Sequence, residues 1–193
     1  MSTQNSYPIP DNFSDSHVTP SQYADWYRQS LEDPDLFWAT KATEFLQWDV
    51  PFSKVSDCDF EQGKARWFID GKLNVSVNCI DRHLPERADQ TALLWEGDAP
   101  QDQRAITYQE LKDQVCRLAN VLKSRGVSKG DRVCIYMPMI PEAAYAMLAC
   151  ARIGAVPSVV FGGFAANELA TRIDDCTPKV IVSASCGIEP SRV

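Results

Sequence analysis

Between Val133 and Ser183 the chain repeats one pattern: three apolar runs, Val133 to Met137, Val156 to Phe161 and Val180 to Ser183, separated by segments with helical character. The runs begin a little over twenty residues apart. Hairpins close in a few residues, so this spacing fits crossover connections, in which a helix carries the chain back to start a parallel strand. Pro141 opens the first helix, which is apolar on nearly every face and stops at Gly154. Such a helix is buried on more than one side. The second runs from about Ala165 to Cys176, and Pro178 precedes the third run. The expected class is α/β, with a parallel βαβαβ half-sheet carrying helices on its faces.

Upstream, Thr107-Tyr108-Gln109-Glu110 forms a capping box, Leu111, Val115, Leu118 and Leu122 make a buried stripe, and Gly126 ends the helix. Thr91 to Glu96 and Arg104 to Thr107 read as a hairpin joined by residues 97–103. The segment after Asn74 alternates like a strand, yet Leu73, Val77, Ile80 and Leu84 also fall at helical spacing with Asn74 as N-cap, and helix is the reading adopted. Arg66 to Ile69 is a short strand closed by Asp70-Gly71. Tyr23, Trp26, Tyr27 and Leu31 place a helix after Ser21, and Asp33-Pro34 opens a second that reaches about Leu46. Phe37, Trp38, Phe45 and Trp48 exceed what two short helices can bury against each other, so these helices are expected to clamp onto a larger body. The organisation expected is a flexible arm over 1–20, a helical N-terminal region over 21–90, and an α/β domain from 91 to 193.

Of the 193 residues, 45% are hydrophobic, enough for a sizeable core. Nineteen basic against 26 acidic residues give a net charge of -7, which argues against a phosphate-backbone binder, so no nucleic-acid partner is expected. Seven single cysteines without a C-x-x-C pair form neither a disulfide framework nor a zinc spacing. Each is expected to pack as a small reduced hydrophobe, in a cytoplasmic setting. The start of the chain has no secretory pattern, and the apolar stretch from Met147 to Ala166 is interrupted by Arg152, Gly154, Pro157 and Gly162-Gly163, so no membrane span is expected. His17 and His83 read as solvated or capping residues, and Asp174-Asp175 as a solvated helix end; no metal site is expected.

In an open α/β sheet, ligands bind where the carboxyl ends of strands turn into helices. One such loop stands out: Phe161-Gly162-Gly163-Phe164 sets two residues without side chains between aromatic ones, so backbone can come close to a ligand. A tight turn packing helix on strand explains the same glycines, and the residues alone leave both readings open. P-loop, G-x-G-x-x-G and G-x-S-x-G signatures are missing, which disfavours a P-loop NTPase, a typical dinucleotide dehydrogenase and an α/β-hydrolase.

A longer pattern carries more. The run Tyr136-Met137-Pro138-Met139-Ile140-Pro141-Glu142-Ala143, continuing through Leu148 to Ala155 and Ser158-Val159-Val160-Phe161-Gly162-Gly163-Phe164, closely resembles the AMP-forming acetyl-coenzyme A synthetases. Asp35-Leu36-Phe37-Trp38, Leu73-Asn74-Val75, Asn78 to Leu84 and Leu94-Trp95-Glu96-Gly97-Asp98 look like the same family of acyl-adenylate-forming ligases, so the resemblance spans about Gln22 to the end.

That resemblance implies an acetate–CoA ligase, which joins acetate to ATP through an acetyl-adenylate and passes the acetyl group to coenzyme A, with AMP and pyrophosphate as products. It also implies that this chain holds only the N-terminal part and is inactive alone. The phosphate loop with its lysine, the acyl pocket and the C-terminal lid with the adenylation lysine are not within 1–193, and no catalytic residue is expected here. Mg2+ is expected for the parent enzyme without a ligand in this segment. Phe161, Gly162 and Gly163 look like residues lining the path of the nucleotide end of coenzyme A, and Arg192 is similar to an arginine near its 3'-phosphate. Pro157 stands where the acetate enzymes usually have histidine, and Glu189 where they usually have a second arginine. The ending Ser185 to Pro190 looks closer to the propionate-activating branch, whereas Leu73 to Asp98 resembles the acetate enzymes more. The partners implied are acetate or propionate, ATP, coenzyme A and the remainder of the parent domain or a full-length synthetase. A noncatalytic binding module derived from the family is the alternative.

Overall fold

The structure is a computed structural model that describes residues 10, 13, 16–99 and 101–186. The described chain divides into two compact units, one formed by residues up to Leu46 together with Phe52–Asp70, the other by Gln47–Pro51 and Gly71 onward.

The first unit begins with α1 (Pro20–Glu32), opened by a capping box in which the Thr19 side chain accepts from the Gln22 amide and the Gln22 side chain accepts from the Thr19 amide. Asp33 then caps α2 (Pro34–Phe45) by accepting from the Leu36 amide, as the Asp-Pro pair predicts. Lys41 lies across the hairpin, its Nζ 3.8 Å above the Trp26 ring, a cation–π contact that uses an aromatic side chain which two helices cannot bury. Tyr23, Tyr27, Leu36, Trp38 and Phe45 remain exposed. Sequence pattern does not anticipate β1 (Lys54–Ser56), which pairs antiparallel with β2 (Trp67–Ile69). Three residues are too few to show a period, and the pairing depends on its surroundings: Ser56 donates to the Asp35 carboxylate at 2.8 Å, and Phe52 meets Phe68 edge-on. Asp70 takes a left-handed φ of 65° before Gly71, the conformation its turn pair predicts.

The second unit begins with α3 (Val75–Cys79), a 3-10 turn over Asp81–His83 and α4 (Leu84–Arg87). The single helix expected after Asn74 is therefore broken. Asn74 does cap it, accepting from the Val77 amide. Its amide group also donates to the carbonyls of Ala151 and Arg152, in the last turn of a later helix. At Ile80 the backbone leaves the helical region, which puts a fully buried Ile80 in the core and sets Asp81 against Arg152 and, at 3.9 Å, Lys112. Tertiary packing at one residue overrides the periodicity. His83 packs its ring against Tyr108 instead of capping α4.

The hairpin of β3 (Thr91–Glu96) and β4 (Gln103–Thr107) leads into α5 (Tyr108–Ser124) through the Thr107–Glu110 capping box. From there the observed order matches the expected one: β5 (Arg132–Met137), α6 (Pro141–Ile153), β6 (Val156–Phe161), α7 (Ala166–Cys176) and β7 (Val180–Ser183). The three strands are parallel in the order β6-β5-β7. Leu111, Val115, Ala119 and Leu122 of α5 and Tyr145, Ala146, Ala149 and Cys150 of α6 cover one face of the sheet, where Val133 and Ile135 form the centre of the core. Pro157 lies in β6, at an edge of the sheet among the described residues, where proline is tolerated.

Cys134 and Cys150 are buried as expected, but Cys79 and Cys186 are exposed, so the packing role given to every cysteine does not extend to these two. Cys79 ends a five-residue helix whose inward face is already taken by Ser76 and Ile80.

Candidate functional site

The carboxyl edge of the parallel sheet gathers the ends of β5 and β6 and the loops that leave them. Residues 161–164 form a tight turn there, closed by the Phe164 amide donating to the Phe161 carbonyl at 3.0 Å. Met137 and Phe161 are the last paired residues of β5 and β6, so the turn starts where the ladder ends.

Each glycine has a separate reason. A methyl at Gly162 would lie 2.7 Å from the Met137 carbonyl oxygen and 3.1 Å from the Pro138 nitrogen, so the turn rests directly on the backbone leaving β5. A methyl at Gly163 would meet the Phe161 ring at 2.6 Å. Neither glycine adopts a left-handed φ. What the pair supplies is close approach, and the tight-turn reading that the residues left open is satisfied by the geometry. The turn also displays the Phe161 ring, 61% exposed, at the edge where α/β folds take ligands.

Two outside side chains and one internal ring contact hold this turn. Tyr136 of β5 donates its hydroxyl hydrogen to the Phe164 carbonyl at 2.9 Å. Phe161 and Phe164 meet edge-on, ring centres 5.6 Å apart. The Arg172 guanidinium lies 4.7 Å over the Phe164 ring and bonds both the carbonyl and the carboxylate of Glu168, one turn earlier on α7. Beside it, the Trp95 indole N–H donates to the Met139 carbonyl at 2.8 Å, so the β3–β4 hairpin steadies the loop leaving β5.

Of the site residues named from sequence, Phe161, Gly162 and Gly163 are together in this turn. Arg192 and Glu189 lie outside the described residues, so their relation to the turn is not described. Tyr136 and Arg172 were not singled out from sequence, and Phe164 only as the aromatic flank of the glycine pair. Their signal is spatial, since 28 residues separate Tyr136 from the carbonyl it holds.

The opposite, amino edge carries different chemistry. Open clefts lie there, one lined by Lys123, Ser128, Lys129 and Arg152, another by Asn74, Lys129, Gly154 and Pro157. Asp131 accepts from the Ser128 amide and hydroxyl, both at 2.8 Å, and from Lys179 at 3.1 Å. These contacts, led by the Ser128 amide, hold its carboxyl down at about 2. They anchor the loop that starts β5. Burial pushes the Cys150 thiol up to about 11 and raises Cys134, so neither is a nucleophile at neutral pH.

Among the described residues no group of three His, Cys, Asp or Glu side chains converges on a point that could hold a metal ion, so no residue here is assigned to Mg2+. No helix among them is long and apolar enough to cross a membrane.

Two family models match in tandem: that of the acetyl-coenzyme A synthetase N-terminus over residues 23–79 and that of the AMP-binding enzymes over residues 80–192. The "Acetyl-coenzyme A synthetase" of Saccharophagus degradans is 57% identical over 193 residues, all of this chain and 30% of its own length. The "Acetyl-coenzyme A synthetase 2" of Pseudomonas putida is 61% identical over 171 residues, 89% of this chain and 26% of its own. Among solved structures, the "Acetoacetyl-CoA Synthetase from Streptomyces lividans" superposes with a TM-score of 0.75 at 31% identity, over 89% of this chain and 26% of that one. The chain thus spans less than a third of the length of these relatives. These relatives carry the acetyl-coenzyme A synthetase name, which does not favour the propionate branch that the ending Ser185 to Pro190 resembles. With the parallel sheet, the turn at its carboxyl edge and a family model covering more than half of its residues, the chain belongs to the AMP-binding enzyme family.

Proposed function

We propose that this chain is the N-terminal part of an acetate–CoA ligase, which converts acetate, ATP and coenzyme A to acetyl-CoA, AMP and pyrophosphate through an acetyl-adenylate. The observation that carries the proposal is the tandem match, an acetyl-coenzyme A synthetase N-terminus followed without a gap by an AMP-binding segment. Within that protein, the chain's own part is to supply coenzyme A surface. Phe161, Gly162 and Gly163 line the path of the nucleotide end, the glycines because backbone can approach there, and Arg192 pairs with the 3'-phosphate as guanidinium and phosphate do. Adenylation and any Mg2+ chemistry belong to residues beyond 193, and a cytoplasmic setting suits both substrates and free thiols.

The test is the reading frame and the protein it encodes. Continuation past residue 193 into a Ser/Thr/Gly-rich loop with a lysine, acetate-dependent exchange of pyrophosphate into ATP, and no exchange by residues 1–193 alone are the expected results. Exchange that requires propionate and ignores acetate overturns the substrate. Turnover by the isolated chain overturns the division of roles.

A further inference from the structure

We infer that Tyr136, through Phe164 and Arg172, is the positioning residue that aims the Phe161 ring and the Gly162–Gly163 backbone, and so sets how well coenzyme A is held without touching adenylation. The inference rests on the reading of this turn as coenzyme A surface.

Burial cannot set the direction of Phe161, because its ring is 61% exposed. It meets Phe164 edge-on, the arrangement that the ring quadrupoles favour. Phe164 is itself 38% exposed and depends on two polar attachments. Its ring lies under the Arg172 guanidinium, which Glu168 holds by a carboxylate contact at 3.0 Å and a carbonyl contact at 3.2 Å. Its carbonyl precedes the helix, since the first acceptor of α7 is Ala165, and it takes its hydrogen bond from Tyr136.

The side-chain parity of β5 explains why Tyr136 can reach it. Val133 and Ile135 point into the core under α5 and α6, so Tyr136 points to the other face, where α7 and the turn lie. Strand β5 therefore meets the turn twice, its Met137 carbonyl lying where a side chain on Gly162 would have to go and its Tyr136 hydroxyl bonded to the Phe164 carbonyl. Since the phenol's hydrogen is committed to a backbone carbonyl, Tyr136 acts through the turn and not on a ligand. The ring of Tyr136 is half-buried and keeps its packing when the hydroxyl is removed.

The experiment uses the full-length ligase with Tyr136→Phe, Phe164→Leu and the pair. In Tyr136→Phe, KM for coenzyme A should rise by about 3- to 10-fold, the loss of one ordinary hydrogen bond. KM for ATP and acetate, and the coenzyme A-independent exchange of pyrophosphate into ATP, should stay within about twofold of the parent. Residues of one brace are not additive, so the pair should be no worse than Phe164→Leu alone. In the 15N-labelled chain, the Gly162 and Gly163 amide signals should shift in Tyr136→Phe while those of Gly130 and Gly154 do not. An unchanged KM for coenzyme A with unmoved Gly162 and Gly163 signals, or equal loss in both half-reactions, overturns the positioning role. Shifted Gly162 and Gly163 signals with an unchanged KM for coenzyme A overturn the reading of the turn as coenzyme A surface instead.

Discussion

Replacing Gly162 by alanine tests whether the turn truly rests on the β5 backbone. The added carbon would sit 2.7 Å from the Met137 carbonyl oxygen and 2.9 Å from its carbon. Ordinary C···O contacts lie near ~3.3 Å, so the shortfall is about half an ångström against backbone. Met137 and Phe161 form the last rung between β5 and β6, so relief requires the ends of two paired strands to separate. Overpacking of this kind costs about 1–3 kcal/mol. With a urea m-value of about 2 kcal/mol per molar, the unfolding midpoint should fall by roughly 0.5–1.5 M. Gly163→Ala is the internal control. Its clash is with the Phe161 ring, at 2.6 Å, and a ring that exposed can rotate away. A rotamer cost of about 1 kcal/mol is largely offset by the entropy that alanine removes from the unfolded chain. Urea denaturation followed by circular dichroism on both variants decides the matter: equal midpoints for Gly162→Ala and Gly163→Ala would refute the close approach.

Asp131 has a folded pKa near 2, below its ordinary 3.8, so its contribution is fully present above about pH 4 and is lost as pH falls toward 2. Asp131→Asn should accordingly lower the urea midpoint at pH 6 and leave it nearly unchanged at pH 2, in paired titrations of both proteins. Iodoacetamide at pH 8 should label Cys79 and Cys186 in the native chain and reach Cys134 and Cys150 only after unfolding, as read by peptide mass spectrometry. Given the resemblance at Glu189 and Arg192, Glu189→Arg in the full-length ligase should tighten coenzyme A several-fold at low salt, about 1 kcal/mol after screening, and Arg192→Ala should weaken it. An equal gain for dephospho-coenzyme A, which lacks the 3'-phosphate, would place Glu189 away from that phosphate.

The helix boundaries were legible wherever the signal is local. A capping side chain and its partner stand three residues apart, so Thr107 and Glu110, or Asp33 and Leu36, declare a helix start without reference to the rest of the molecule. The places of β6 and β7 were equally plain, because each is a short run rich in β-branched residues set off by glycine or proline, Gly154 before and Gly162 after β6 and Pro178 before β7. Where the deciding partner is distant, pattern failed. The break at Ile80 follows from a core position and from an ion pair 71 residues away, and β1 exists because β2, Asp35 and Phe68 are there to receive it.

The site divides along the same line. Two adjacent glycines between aromatic residues at the end of a parallel strand marked the turn from sequence alone, since backbone exposure is a property of glycine itself. Local sequence could not say why those glycines are needed or what aims Phe161. Those answers lie in the Met137 carbonyl, the Tyr136 hydroxyl and the Arg172 guanidinium, which meet the turn only after β5 and α7 have packed against it. Residue type and short-range spacing determined the α/β class, the crossover order and the place of the turn. Tertiary structure alone decided the strand order β6-β5-β7 and the brace on Phe164, because both depend on contacts between segments whose separation along the chain carries no periodic signal.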